Sequence, residues 1–357
     1  MRFVAHESFT LDETDLRIVH ALQVEPRASW SLIGSVTEVS PTTAMRRWKR
    51  LTEAGAAWIA CYPAFSPPPT FAVVELMTAH GRTLEVAAEL AADPHAASVN
   101  VYAGDCDVLV EVYATDYRDM SRYVLERLAL VSGIREIRTH LATGGYREGS
   151  QWRLGQLDAA AEQRLVASGS GQRNGIGPVP SLTPEHREVA RVLEADPRIP
   201  VADLATALGV SAATAHRRLN ALLSAQPLLR CELCWTLSEW PISATFFIRC
   251  PAPKVQATGR ALATVREVRA VIATTGPNDL FVAVRLRSVD HVHLLEEQIV
   301  TQLPHVVVTN RSLVIRPVKL MGHLLDEDGW RTGNVPIDFR RSPMPAGVRA
   351  ALRREKG

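Results

Sequence analysis

The sequence predicts an α+β protein made of two copies of one unit, each a winged-helix-type helix-turn-helix joined to a βαββαβ domain. Three observations carry this. Sliding the 357-residue chain on itself by 171 aligns 11–51 with 182–222 without a gap. Two further matches follow in order: Gly104-x-x-Asp107 meets Gly276-x-x-Asp279 at a shift of 172, and Trp152-Arg153-x-Gly155 meets Trp330-Arg331-x-Gly333 at 178. Within each copy the apolar spacing then changes from helical to strand-like.

The ungapped segment pairs Leu11 with Leu182, Pro26 with Pro197, Arg27 with Arg198, Ser40 with Ser211, Thr43 with Thr214, Arg46 with Arg217 and Arg47 with Arg218. The offset grows by one up to the Gly-x-x-Asp hairpins and by six after them, about seven in all, which places the extra residues of the second copy mainly between its last strand and the Trp-Arg tail.

The first helical element, 12–23, has Asp12 at its N-cap, Asp15 three residues on, and Ile18, Val19 and Leu22 on one face. Pro26 ends it, and 29–36 form a second short helix. Ser40-Pro41 then starts a third, with Ser as the cap and Pro where its missing N–H costs nothing. This helix runs to about Glu53 and stops near Gly55, with Ala44, Trp48 and Leu51 inward. Two short helices and a capped, basic third one form a helix-turn-helix, whose last helix reads base edges in the major groove of DNA. The candidate contacts are Ser40, Thr42, Thr43, Arg46, Arg47, Lys49 and Arg50. Thr42, Thr43 and Arg46 are placed for bases, and the other basic residues for phosphates. In the second copy they are Ser211, Thr214, His216, Arg217 and Arg218, without counterparts of Lys49 and Arg50. An amphipathic helix with a solvated charged face is the plain alternative. The Ser-x-x-Thr-Ala-x-Arg-Arg pattern in both copies favours DNA, and the unlike helices predict an asymmetric operator gripped more tightly by the N-terminal copy.

After each helix-turn-helix, segments at 70–77, 83–92, 97–103, 107–114, 117–129 and 134–142, and again at 243–250, 253–264, 268–275, 279–287, 290–300 and 305–315, read as βαββαβ, the order of a ferredoxin-like domain. The Gly-Asp-Cys-Asp and Gly-Pro-Asn-Asp stretches are turns joining the central strands. Six segments result: 1–63 helix-turn-helix, 64–157 α+β domain, 158–181 helix and flexible linker, 182–236 second helix-turn-helix, 237–335 second α+β domain, and 336–357 basic tail.

These residues resemble the Lrp/AsnC, or feast/famine, family of transcriptional regulators. The likeness is carried by Leu11-Asp12-x-x-Asp15, Pro26-Arg27, Ser40-Pro41-x-Thr43, Arg46-Arg47 and Ala54-Gly55, by Pro197-Arg198, Gly209-Val210-Ser211 and Arg217-Arg218 in the second copy, and by the Gly-x-x-Asp hairpins. It implies that the ferredoxin-like domains are effector-binding RAM domains, through which the chain pairs with itself as a homodimer or higher assembly. It further implies small effectors, commonly amino acids or related metabolites, bound near the hairpins. Gly104, Asp105 and Asp107 would line one site and Gly276, Asn278 and Asp279 another. Read without the resemblance, the same residues simply build turns, Gly for backbone freedom and Asp or Asn for local hydrogen bonds.

The composition excludes several other classes. No run of 18 apolar residues suggests a membrane span, and the first residues lack the order of a signal peptide, so a cytoplasmic protein is expected. Five cysteines suit a reducing compartment, and Cys231-x-x-Cys234 lacks the second pair a zinc site needs. Neither a metal nor a cofactor is expected. Net charge is only +2, and just four of the 40 basic residues are lysine, so arginine counts as evidence only through its placement. No Gly-x-Ser-x-Gly, His-Glu-x-x-His, P-loop or Rossmann pattern points to an enzyme. The expectation is therefore a sequence-specific, effector-sensing DNA-binding protein. An architectural, nucleoid-type protein with little sequence preference is the alternative.

Overall fold

The computed structural model describes residues 9–61, 70–169, 183–225 and 228–338. The glycine-rich linker beyond Gly169 and most of the basic tail lie outside them. The first copy runs α1 (Glu13–Val24), α2 (Trp30–Thr37), α3 (Pro41–Glu53), β1 (Ala57–Cys61), β2 (Thr70–Thr78), α4 (Thr83–Ala91), β3 (Ala96–Ala103), β4 (Val108–Ala114), α5 (Tyr117–Arg122), β5 (Ile134–Arg147) and α6 (Ala159–Ser168). The second runs α7 (Pro184–Ala195), α8 (Val201–Leu208), α9 (Ala212–Ala225), β6 (Leu229–Leu233), β7 (Ile242–Arg249), α10 (Val255–Leu262), β8 (Val268–Thr274), β9 (Leu280–Leu286), α11 (His291–Gln302) and β10 (Val307–Leu320), then β11 (His323–Leu325) and β12 (Arg331–Asn334).

The caps that the sequence announces are formed. The Asp12 carboxylate accepts from the Asp15 N–H at 2.9 Å and Asp15 returns the favour at 3.2 Å, a capping box built from two acids. Gly55, with φ of +75°, ends the run after α3, and its carbonyl accepts from the Arg331 N–H at 2.9 Å. A Cβ there would meet the Arg331 carbonyl oxygen, so both conformation and space require glycine.

The winged-helix expectation is corrected. Among the described residues each helix-turn-helix is followed by one strand, and these pair with each other: β1 and β6 run antiparallel, with Ile59 opposite Cys231. A wing would have paired within one copy. Here the two helix-turn-helix domains instead share one apolar core, with Ile18, Leu22, Leu51, Leu193, Leu219 and Leu222 buried together.

The strands of each α+β domain form a four-stranded antiparallel sheet, in the order β3-β4-β2-β5 and β8-β9-β7-β10. The last strands are longer than the sequence reading placed them, and the extra length has a use. The first half of β5 pairs with β2 in its own copy, and from Ala142 onward it pairs with β8 of the other. Likewise β10 pairs with β7 through Leu313 and with β3 beyond it. The two sheets thereby close into a ring of eight strands. β11 occupies the stretch where the sequence placed an insertion, and β12 is the second copy's Trp-Arg tail itself.

Outside the ring, Val110, Val112 and Tyr123 pack under the first copy's helices, and Phe246, Val282 and Leu295 under the second's. Each copy's Trp-Arg tail turns back onto the helix-turn-helix core, where Trp152 and Trp330 are buried. No helix among the described residues is long and apolar enough to cross a membrane.

One buried histidine holds the first tail to α1. His20 Nδ1 accepts from the Gln156 and Leu157 N–H groups at 2.9 and 2.8 Å, while Nε2 lies 3.0 Å from Glu162 of α6. Burial, helped by the charge of Arg153, holds the imidazole pKa down to about 3. Unfolding returns it to near 6.5, so the unfolded chain takes up a proton below that pH and the folded one does not. Stability is therefore full above about pH 6.5 and declines towards pH 3, by about 2 kcal/mol for this one group between pH 7 and 5. Urea titrations should show the wild type losing more stability over that interval than His20→Gln. An equal loss in both would remove His20 as the source.

Candidate DNA-binding face and ligand pockets

On α3 the inward stripe is as expected, with Ala44, Trp48 and Leu51 buried and Thr42, Met45, Arg46, Lys49 and Arg50 exposed. The side chains divide by what they already hold. Ser40 Oγ accepts from the Thr43 N–H at 3.1 Å and bonds the Thr43 hydroxyl at 2.8 Å, so both are engaged in capping. Arg46 has no ion pair among the described residues.

Arg47 and Arg50, expected at phosphates, are instead committed inside the domain. Arg47 lies 2.7 Å from Asp12 and 3.0 Å from Asp15, Arg50 also pairs with Asp15, and its guanidinium sits 4.9 Å above the Phe9 ring. Asp15 is only 1% exposed. An acid so buried needs a paired cation, and the α1 capping box puts Asp15 and Asp12 directly across from α3. Lys49 leans towards Glu53 at 3.7 Å, a loose surface pair.

In the second copy the acids are absent: Thr183 and His186 stand where Asp12 and Asp15 stand in the first. Arg218 accordingly has only Glu188, at 3.7 Å, and Arg217 is exposed with no ion pair among the described residues. Ser211 and Thr214 repeat the cap, and His216 bonds Asn220 at 3.0 Å. Of the two basic residues that set the N-terminal copy apart, Arg50 is thus held by Asp15, and only Lys49, in its loose surface pair, remains for a stronger grip.

The two helix-turn-helix domains are locked to each other by a reciprocal clasp. Arg27 donates to the carbonyls of Pro197 and Ile199, at 2.5 and 2.7 Å, and Arg198 donates to those of Pro26 and Ala28. The paired Pro-Arg of the repeat is thus the same contact made twice across a pseudo-two-fold axis. Arg198 also lies 4.3 Å above Trp30.

At the hairpins the structure separates residues that the sequence grouped. Asp107 turns inward, its carboxylate accepting from the Thr78 N–H at 2.6 Å, and Asp279 does the same for Cys250 at 2.9 Å. Both tie a hairpin to the end of the neighbouring strand. Gly104 lies against Ser312, and Gly276 against His140, each on the last strand of the other copy. Asp105 and Asn278, one from each hairpin, line a single cavity of about 320 Å³ together with Glu75, Arg138, His140 and Arg249. One residue of each expected site, Asp105 and Asn278, thus reaches the same cavity, and Gly104, Asp107, Gly276 and Asp279 are not among its lining. His140 Nε2 and Glu75 Oε2 meet at 2.8 Å, both buried.

A second, larger cavity of about 850 Å³ lies inside the ring, bounded by Trp58 and Arg230 of the β1–β6 pair. The sequence reading missed it, since its walls come from alternate residues of many strands. Cys231 and Cys234 are buried free thiols, and burial pushes Cys234 up to about 11.

Together these features define a tandem helix-turn-helix protein with paired α/β ligand-binding domains. A model of the AsnC-type helix-turn-helix domain matches residues 11–52 and 187–223, and one of the Lrp/AsnC ligand binding domain matches 71–152 and 243–324. These matches cover more than half of the chain, and it belongs to the Lrp/AsnC family. An uncharacterized HTH-type transcriptional regulator of Pyrococcus abyssi is 31% identical over 146 residues, spanning 39% of this chain and 91% of that protein. A relative from Pyrococcus horikoshii, given the same description, is 30% identical over 138 residues, spanning 37% and 86%. Among solved structures, the siroheme decarboxylase NirDL has a TM-score of 0.55 at 15% identity, over 96% of this chain and 100% of that one, a likeness of fold.

The ion pairs predict a division of labour within α3. Arg47→Ala strips a buried carboxylate of one partner and should lower unfolding free energy by about 1–3 kcal/mol. Arg46→Ala touches no such group and should stay within about 0.5 kcal/mol of wild type. Chemical denaturation of both variants checks this, and equal stabilities would show the Asp15 cluster to be idle.

Proposed function

We propose that the chain is a sequence-specific DNA-binding transcriptional regulator whose paired α/β domains sense a small effector. The observation that carries this reading is the pair of capped, exposed third helices, carried by two helix-turn-helix domains that Arg27 and Arg198 clasp together. Family membership supports it. In this reading Thr42 and Arg46 of the first copy and His216 and Arg217 of the second meet base edges. Lys49 and Arg218 supply phosphate contacts, while Arg47 and Arg50 act by holding α3 in place.

Each α/β domain is read as a ferredoxin-like unit, which its strand order supports. A single chain supplies both halves of the paired arrangement, so the operator is expected to be asymmetric, and further assembly would join such pairs. The shared pocket at Asp105 and Asn278 is the proposed place for an amino acid or related effector.

A second reading has one specific observation behind it. The fold matches a siroheme decarboxylase from end to end, an enzyme also solved with an iron-uroporphyrin III analogue, and the ring of this chain encloses about 850 Å³. Incubation with siroheme decides it: an unchanged absorption spectrum and no decarboxylated product would exclude this activity.

For the first reading, titrations of operator and scrambled duplexes at several salt concentrations should show a large specificity ratio. An architectural protein would show a steep salt slope and little preference. Arg46→Ala should cost about 1–3 kcal/mol on the operator only. Absence of binding to any duplex at low salt would end the DNA reading.

A further inference from the structure

The cavity inside the ring has an electrostatic gap. On β9, Leu280, Val282, Val284 and Leu286 pack under the helices, while Phe281, Ala283 and Arg285 turn inward. The cavity walls are largely apolar, with Phe71, Tyr113, Ile272, Phe281 and Val314 among them. Charge is concentrated near the β1–β6 pair, and most of it is already matched. Arg147 donates to the carbonyls of Ala263 and Val265 at 3.0 and 2.8 Å. Arg230 and Arg269 both hold Glu232, and Arg230 also faces Glu148 at 3.8 Å.

Arg285 is the exception. It is 7% exposed, its guanidinium lies 4.1 Å above the Trp235 ring, and no carboxylate stands within 4.0 Å of it among the described residues; Glu232, already held by Arg230 and Arg269, acts on it only from farther away. Its Nε is buried without a hydrogen-bond partner among the described residues, and so are the indole Nε1 atoms of Trp58 and Trp235, two residues that also line the cavity. All three are donors. Leaving a cation and buried donors unmatched costs free energy that an anionic acceptor would offset. Glu111 faces the same space, but burial raises its pKa and favours its neutral form. Burial also lowers Arg285, to about 9, which leaves it charged at neutral pH.

We infer that the ring interior is a binding site for one small organic carboxylate with an aromatic or similarly flat apolar body, anchored by Arg285. The site goes beyond the effector pocket proposed above. That pocket lies at the hairpins that begin β4 and β9, whereas Arg285 lies near the end of β9 beside the β1–β6 pair. Arg285 stands where the first copy has Tyr113, so the cavity has one anchor and accepts one ligand in one orientation.

Isothermal titration calorimetry on the full chain tests this with 1-naphthaleneacetate, indole-3-acetate and 3-phenylpropionate, each against its neutral amide. At least one acid should bind saturably at one site per chain, with its amide at least tenfold weaker. Arg285→Gln should lose at least tenfold and Arg285→Lys should recover part of that. Ala283→Trp, which fills the interior and leaves Arg285 in place, should abolish binding. Asn278→Ala at the hairpin pocket should leave it unchanged. No saturable binding of any acid up to about 10 mM, or wild-type affinity in both Arg285→Gln and Ala283→Trp, would overturn the assignment. Duplex binding by the same samples is read separately: a chain that takes the acid through Arg285 but binds no DNA retains this site and loses the regulator reading.

Discussion

A four-stranded sheet ends in two rows of unpaired N–H and C=O groups, and the architecture of this chain follows from how those edges are closed. An open edge is a template for pairing with any available strand. Here each copy closes the other's: β5 leaves its own sheet at Ala142 for β8, and β10 leaves its own at Leu313 for β3. Neither α/β domain is complete alone, because half of each last strand finds its partners only in the other copy. The crossing also makes an inside. Residues that would face solvent on a single sheet, such as Tyr102, Leu109, Phe247 and Phe281, become buried between the two.

The same reciprocity governs the helical end. The Arg27 and Arg198 guanidiniums each donate to two carbonyls in the turn that joins the first two helices of the opposite copy. Burial lowers the pKa of both, Arg198 to about 10, yet both remain cations at neutral pH. Around them the helix-turn-helix cores merge, so α3 and α9 are held as one body. β1 and β6 continue from these helices and present Trp58 and Arg230 to the cavity, while Ile59 and Cys231 on the same strands sit in the helical core. Whatever occupies the ring therefore presses on strands that also pack beneath the recognition helices.

What could be read in the sequence was whatever repeats locally. Caps such as Asp12, Ser40 and Ser211 announce helix starts because they act on N–H groups three residues away. The Gly-x-x-Asp turns announce hairpins for the same reason, and the tandem order of domains followed. Contacts distant in sequence were not legible. Arg47 and Arg50 look like a phosphate clamp on a helical wheel, and only the packing of α1 across α3 shows that Asp15 holds them. The pairing of β1 with β6 joins residues far apart in the chain, which no periodicity reports. The cavity escaped notice because its lining is every second residue of several strands. Asp107 and Asp279 were visible as residues but not as orientations: their carboxylates accept from Thr78 and Cys250 at the ends of neighbouring strands.

Comparison of the two copies separates what the architecture requires from what it permits. Positions that build the frame are the same in both: Pro26 and Pro197, Arg27 and Arg198, Ser40 and Ser211, Asp107 and Asp279. Several positions on the exposed faces of the third helices and on the cavity wall are different. Thr42 and Met45 stand opposite Ala213 and His216, Trp58 opposite Arg230, and Tyr113 opposite Arg285. The buried Glu75–His140 pair has Phe247 and Ser312 in the equivalent places. A homodimer cannot differ in this way, since any substitution appears twice about the axis. Joining both units in one chain removes that constraint. It allows an interior with Arg285 on one side and Tyr113 on the other, and third helices whose exposed faces differ, while the symmetric clasp and the crossed strands keep the body intact.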